Sequence, residues 1–252
     1  MKEHLINDRA ALKERVDAKR AAVLDWLKGE SFTSPQLLAE MLGLQRNATY
    51  KTIRSLKKEG LVDIVTLTWI TGQIHLVVLT AHGAAMCIDP ENPVEVQYYQ
   101  QGRVAASSIA HQLDVQRAKL KALRAGWRDW VPDQRAHQLA GAEPEKWLKA
   151  PDAVATNPKG LRVAIEIERT IKSRKRYEKI IGLYLQMIRA GLIKRVDYVT
   201  PDPAVAPRLA AVIRSLQSVL VGPEQGPSQR VSITDAHRER FNFYSLEDWP
   251  NG

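Results

Sequence analysis

From residue 151 onward the sequence alternates short β-branched runs with amphipathic helical stretches, and this alternation restricts the fold more than any other feature. The runs are AVAT at 153–156, LRVAIEIE at 161–168, RVDYVT at 195–200 and RVSIT at 230–234, with helical periodicity over 171–190 and 204–219. Strands alternating with helices predict a mixed sheet flanked by helices, an α/β (α+β) class. The NPKG turn at 157–160 folds the first run back beside the second as a hairpin.

The first hundred residues read differently. Residues 10–28 place Leu12, Val16, Val23 and Leu27 at helical spacing. In FTSPQLLAEMLGL, Thr33 or Ser34 caps a second helix with Pro35 in its first turn, and Gly43 permits a tight turn into a third over 46–58. Tyr50, Ile53 and Leu56 form the inward side of that third helix. Two strand-like runs, 61–68 and 74–79, flank a Gly-containing turn, and a short helix follows LTAHG. This order resembles a winged helix-turn-helix over residues 10–87. The prolines of CIDPENPVEV mark a linker at 88–93, which sets the expected domains at 1–93 and 94–252. A helix over 104–123 carries His111 among Ile109, Leu113 and Leu120.

Charge separates the same regions. The chain of 252 residues has 37 Lys and Arg against 28 Asp and Glu, a formal net of +9. Residues 1–100 hold 12 of each sign, 101–195 hold 20 basic and 9 acidic, and 196–252 hold 5 and 7. Cations concentrated in the middle third attract polyanions, so nucleic acid is the first candidate partner, and a solvated helical face is the bland alternative. A single cysteine, Cys87, excludes a disulfide scaffold and a Cys-rich zinc site. The N-terminal stretch is charged on both signs and no run of 18 apolar residues occurs, so a cytoplasmic protein without a membrane partner is expected.

Two groups of side chains carry chemistry. The third helix presents Arg46, Lys51, Arg54, Lys57 and Lys58 with no acid among them. Such a helix suits the major groove, with Lys51 and Arg54 as groove contacts, and it equally suits a protein interface. The second group is Pro151-Asp152 followed by Glu166-Ile167-Glu168. Strand alternation puts both glutamates on one face, and the hairpin brings Asp152 toward Glu166. Gathered carboxylates suit Mg²⁺ or Mn²⁺, which take oxygen ligands and complete their shell with substrate phosphate. The plainer alternative is a P-D turn and strand-edge glutamates that face water. Residues 169–179, RTIKSRKRYEK, contain six cations and one acid. Lys172 and Arg174 are expected to hold DNA there, and Lys175 and Lys179, one turn apart, to meet the scissile phosphate or the attacking water. Tyr177 and Tyr184 read either as attacking hydroxyls or as core residues. His111 reads as a core histidine, a metal ligand or a proton shuttle.

The succession of winged helix, helix with H-x-L, P-D-A-V, I-E-I-E-R-T and a basic helix ending near Leu183-Tyr184 resembles the replication-relaxation family of plasmids and integrative elements. That family includes the MOB-C class of mobilisation relaxases. The resemblance runs from about Phe32 to Thr200. It implies a PD-(D/E)xK-type nuclease domain that binds and nicks DNA at a transfer or replication origin with Mg²⁺ or Mn²⁺, in conjugation or plasmid mobilisation. Its partners would be duplex DNA, single strand at the nick and other mobilisation proteins. By position Asp152 matches the P-D acid, Glu166 the strand acid and His111 the histidine of the upstream helix, with Asp152 and Glu166 holding the metal. Where the nuclease pattern has lysine this chain has Glu168, so the catalytic lysine is expected from Lys175 or Lys179. A non-catalytic DNA-binding protein, acting as a transfer or replication regulator or a relaxase accessory factor, is the alternative, and an adaptor whose winged helix pairs protomers is a third.

Overall fold

The structure is a computed structural model that describes residues 9–69, 72–91, 96, 98–100, 104–133, 147–222 and 227–250. It is a mixed α and β protein, with eight helices among the described residues. The chain divides into two compact units between Gln116 and Arg117, not at residue 93. The division falls there because helix α5, Ala106–Arg124, gives Ile109 and Leu113 to the core of the first unit.

The first unit contains α1 (Arg9–Glu30), β1 (Phe32–Thr33), α2 (Pro35–Leu42), α3 (Arg46–Lys58), β2 (Val62–Trp69), β3 (Gly72–Leu79) and α4 (Ala81–Met86). Local chemistry sets these boundaries. Ser34 Oγ accepts from Leu37 N at 3.1 Å with Pro35 at the first helical position, and Gly43 closes α2 at φ +61°. Strands β2 and β3 pair antiparallel from Val62↔Leu79 to Trp69↔Gly72, and the two-residue β1, which the sequence pattern did not suggest, joins the outer side of β3. Phe32, Leu37, Leu76, Val78, Tyr99, Ile109 and Leu113 form the core. Helix α3 buries Thr49, Ile53 and Leu56, so Thr49 replaces the expected Tyr50, which is half-buried.

The second unit is built on a five-stranded mixed sheet in the order β10-β7-β6-β5-β4. Its strands are β4 (Arg128–Pro132), β5 (Ala153–Thr156), β6 (Arg162–Ile167), β7 (Arg195–Thr200) and β10 (Phe241–Ser245). The expected hairpin is present: Asn157 Oδ1 accepts from Lys159 N and Leu161 N, Gly160 takes φ +78°, and β5 pairs antiparallel with β6. Strands β6, β7 and β10 run parallel. Helix α6 (Arg174–Arg189) starts at the Ser173 cap, and α7 (Val205–Arg214) is shorter than the pattern indicated. The RVSIT run does not join the main sheet; as β9 (Gln229–Ser232) it pairs with β8 (Ser218–Val221) in a two-stranded sheet, and the short α8 (Asp235–Arg238) follows.

One face of the main sheet, through Val154, Ala164, Val196 and Phe241, packs on α6 and α7 residues including Tyr177, Ile181, Tyr184, Leu209 and Ile213. On the opposite face Ile165, Asp197 and Asn242 are register partners. Asp197 is fully buried there, held by Arg195 at 2.9 Å, Asn242 Nδ2 at 3.1 Å and Trp249 Nε1 at 3.2 Å. A buried carboxylate persists only when paired and hydrogen-bonded, and these partners tie the 241–249 segment to the sheet.

Candidate active site

The start of β5 and the end of β6 place the acids. Because Ala153 opposes Ile165, Asp152 falls opposite Glu166 across the hairpin, and Asp152 Oδ2 accepts from Ile167 N at 2.7 Å. On the other side Glu166 opposes Tyr198 of β7. Beyond the strand, Glu168 N bonds to Val199 O at 2.9 Å, which continues the alternation. Both glutamates thus share one face of the strand, as expected, and that face meets α6; neither faces water, Glu166 being 7% and Glu168 4% exposed.

Each glutamate has a lysine and a tyrosine. Glu166 Oε1 accepts from Lys149 Nζ and Tyr184 OH. Lys149 Nζ also lies 3.0 Å from Tyr184 OH and 3.1 Å from Ala150 O, and its side chain is 20% exposed. Glu168 Oε2 accepts from Lys172 Nζ and, at 3.1 Å, from Tyr177 OH, whose oxygen takes the Lys172 N–H at 3.2 Å. Tyr177 and Tyr184 are seven residues apart and therefore share the inner side of α6.

Burial pushes the Glu166 carboxyl above the usual carboxylate range; the Lys149 charge opposes the shift and the nearby Asp152 charge adds to it. Burial also raises the phenols of Tyr177 and Tyr184, and the carboxylates they face raise them further. Both rings are buried donors, which removes them as attacking phenoxides. Tyr198, 1% exposed, is raised by burial and by the Glu166 charge, and its hydroxyl has no hydrogen-bond partner among the described residues.

The remaining expected residues divide. Lys175 and Lys179 stand two positions before and after Tyr177, about 200° around the helix from the ring that meets the acids, so α6 does not bring them to Asp152 and Glu166. Lys175 is exposed and Lys179 half-buried. Lys172 is committed to Glu168, and Arg174 Nη2 donates to Ser215 O at 2.9 Å, so both expected DNA contacts have partners within their own unit. His111 is half-buried on the part of α5 that belongs to the first unit, whereas the carboxylates belong to the second. Arg46, Lys51, Arg54 and Lys57 are all exposed on α3, with Arg46 over the Tyr50 ring at 5.7 Å and Lys57 paired to Asp63 at 2.5 Å. That pair lowers the Asp63 carboxyl, chiefly through the Lys57 hydrogen bond. The unforeseen member of the site is Lys149, whose only sequence signal is a cation three residues before the P-D acid.

Among the described residues no group of three or more His, Cys, Asp or Glu is placed to hold a metal ion. Asp152 and Glu166 are register neighbours and supply carboxylate oxygens, the ligand type that Mg²⁺ takes, commonly one or two carboxylates together with water and substrate phosphate. Compared with known proteins, the chain matches no family model, no curated protein and no solved structure.

Proposed function

We propose that this chain is a metal-dependent DNA-nicking enzyme of the relaxase kind, with a winged helix-turn-helix in its first unit and a PD-(D/E)xK-like nuclease fold in its second. The observation that carries the reading is the opposition of Asp152 and the buried Glu166 across the β5–β6 hairpin, in a unit rich in cations. Asp152 and Glu166 would hold Mg²⁺ or Mn²⁺, which when bound supplies a water of lowered pKa and neutralises charge on the phosphate. The Ile167 N–H fixes Asp152, and the Tyr184 hydroxyl fixes Glu166. Origin recognition and action in plasmid transfer rest on the family resemblance.

The burial of Tyr177 and Tyr184 favours water over a tyrosine of α6 as the attacking group. Purified protein with supercoiled plasmid carrying its own element should yield open circles in Mg²⁺ or Mn²⁺ and none in EDTA, with no protein retained on the DNA after denaturation. A covalent protein–DNA product would overturn hydrolysis.

A second reading has its own support: residue 168 is an acid where the nuclease pattern has lysine, and two carboxylates make a sparse ligand set. A DNA-binding regulator or accessory factor would bind the plasmid and leave it closed. Either reading uses α3. Replacing both Lys51 and Arg54 by alanine should weaken DNA binding by roughly 2–4 kcal/mol and flatten its salt dependence, measured by titration at several salt concentrations. Unchanged affinity would remove α3 from the DNA interface.

A further inference from the structure

We infer that Lys149 is the lysine that meets the scissile phosphate beside Asp152 and Glu166, an assignment that rests on the nuclease reading. Three observations point to it. Position 168, two residues after the strand acid, is a glutamate whose charge is answered by Lys172 and Tyr177, so that position delivers no cation to Glu166. Lys175 and Lys179 lie about 200° around α6 from Tyr177. Lys149 lies against Glu166 Oε1, Tyr184 OH and the carbonyl of Ala150, and its side chain keeps 20% of its surface exposed. Those three acceptors narrow its rotamers, and the open part leaves a direction from which a phosphate can approach.

The chain geometry explains how a lysine reaches this point from outside the E-x-K position. Lys149 precedes Asp152 by three residues in K-A-P-D, so the segment that delivers the first acid to the hairpin also delivers the ammonium. Pro151 is buried and Asp152 accepts from Ile167 N, which anchors that segment at the start of β5. The Tyr184 ring, with Lys149 Nζ 5.1 Å from its centroid, supports the ammonium from one side.

In the step this serves, a water oxygen bonds to phosphorus while the bond from phosphorus to one ester oxygen breaks. The water proton passes to solvent, the departing oxygen takes a proton from solvent, and no oxidation or reduction occurs. Lys149 keeps its charge throughout and interacts with the negative charge that grows on the non-bridging oxygens.

Two measurements test the assignment. In the first, Lys149→Met and Lys149→Arg are compared with wild type for nicking of supercoiled plasmid in Mn²⁺, with DNA affinity and thermal unfolding measured alongside. Lys149→Met should nick at least about a hundredfold more slowly with DNA affinity within about threefold of wild type, and Lys149→Arg should recover part of the rate. In the second, acetylation of Lys149 in wild type is quantified by mass spectrometry, free and with plasmid in Ca²⁺, which accepts the same oxygen ligands. Bound DNA should protect Lys149. Nicking by Lys149→Met within threefold of wild type, or unchanged acetylation in the complex, overturns the assignment. A wild-type protein that nicks in no divalent cation overturns the nuclease reading, and the acetylation result then judges Lys149 without reference to activity.

Discussion

Glu166→Gln should abolish nicking, by roughly 10³-fold or more, and at the same time raise the stability of the protein at alkaline pH. The two effects have one cause. Burial holds the Glu166 carboxyl above its ordinary value, and the Asp152 charge adds to the shift. The folded state therefore binds this proton more tightly than the unfolded state does, so stability is lost as pH rises through the folded pKa. Glutamine keeps the shape and can still accept from Tyr184, but carries no charge to bury. At pH 8 the variant should unfold at a higher temperature than wild type. Below the ordinary value of 4.5 the advantage should disappear, because the wild-type carboxyl becomes protonated in both states. Thermal unfolding of both proteins across this pH range provides the check. A variant less stable than wild type at every pH would mean that Glu166 is a structural ion-pair partner and not a residue kept for chemistry at a cost in stability.

Gly182→Ala should destabilise the second unit, although helix propensity alone argues the reverse. Glycine inside a helix is worse than alanine by about 1 kcal/mol. At position 182 of α6, however, a Cβ would stand 1.9 Å from the carbonyl oxygen of Leu220 and 2.8 Å from its carbon. Both are backbone atoms of β8, so the contact cannot be relieved by a rotamer change. Helix and strand must separate, which costs roughly 2–3 kcal/mol and lowers the unfolding midpoint by several degrees. Because the same helix carries Tyr177 and Tyr184 to the two glutamates, the shift should also slow nicking. A midpoint at or above that of wild type would contradict the close approach of α6 to β8.

Local signals were enough for the acid pair. The P-D dipeptide, the Asn-Pro-Lys-Gly turn and the alternation of I-E-I-E lie within 18 consecutive residues, and the hairpin they specify is the one found. What the sequence hid depends on distant partners. FNFYS reads as a featureless tail until β7 supplies its parallel neighbour and Asp197 meets Trp249 from 52 positions away. Strand β4 is equally unmarked, since its bulge between Arg128 and Val131 breaks the alternation that would reveal it. Lys149 is a lysine like many others until the sheet sets Glu166 beside it and α6 adds Tyr184. Lys175 and Lys179 differ from the acid-facing tyrosines in helical phase. Charge density marked the right segment, but Tyr177 and Tyr184 take the face that meets the acids.

The measurement that tests the central claim most directly is conversion of supercoiled plasmid to open circles by wild type and Glu166→Ala, each in Mn²⁺ and in EDTA. The account predicts open circles only for wild type with Mn²⁺, while both proteins bind the plasmid with similar, salt-sensitive affinity. Closed plasmid in every lane with binding intact, or equal nicking by Glu166→Ala, would contradict it.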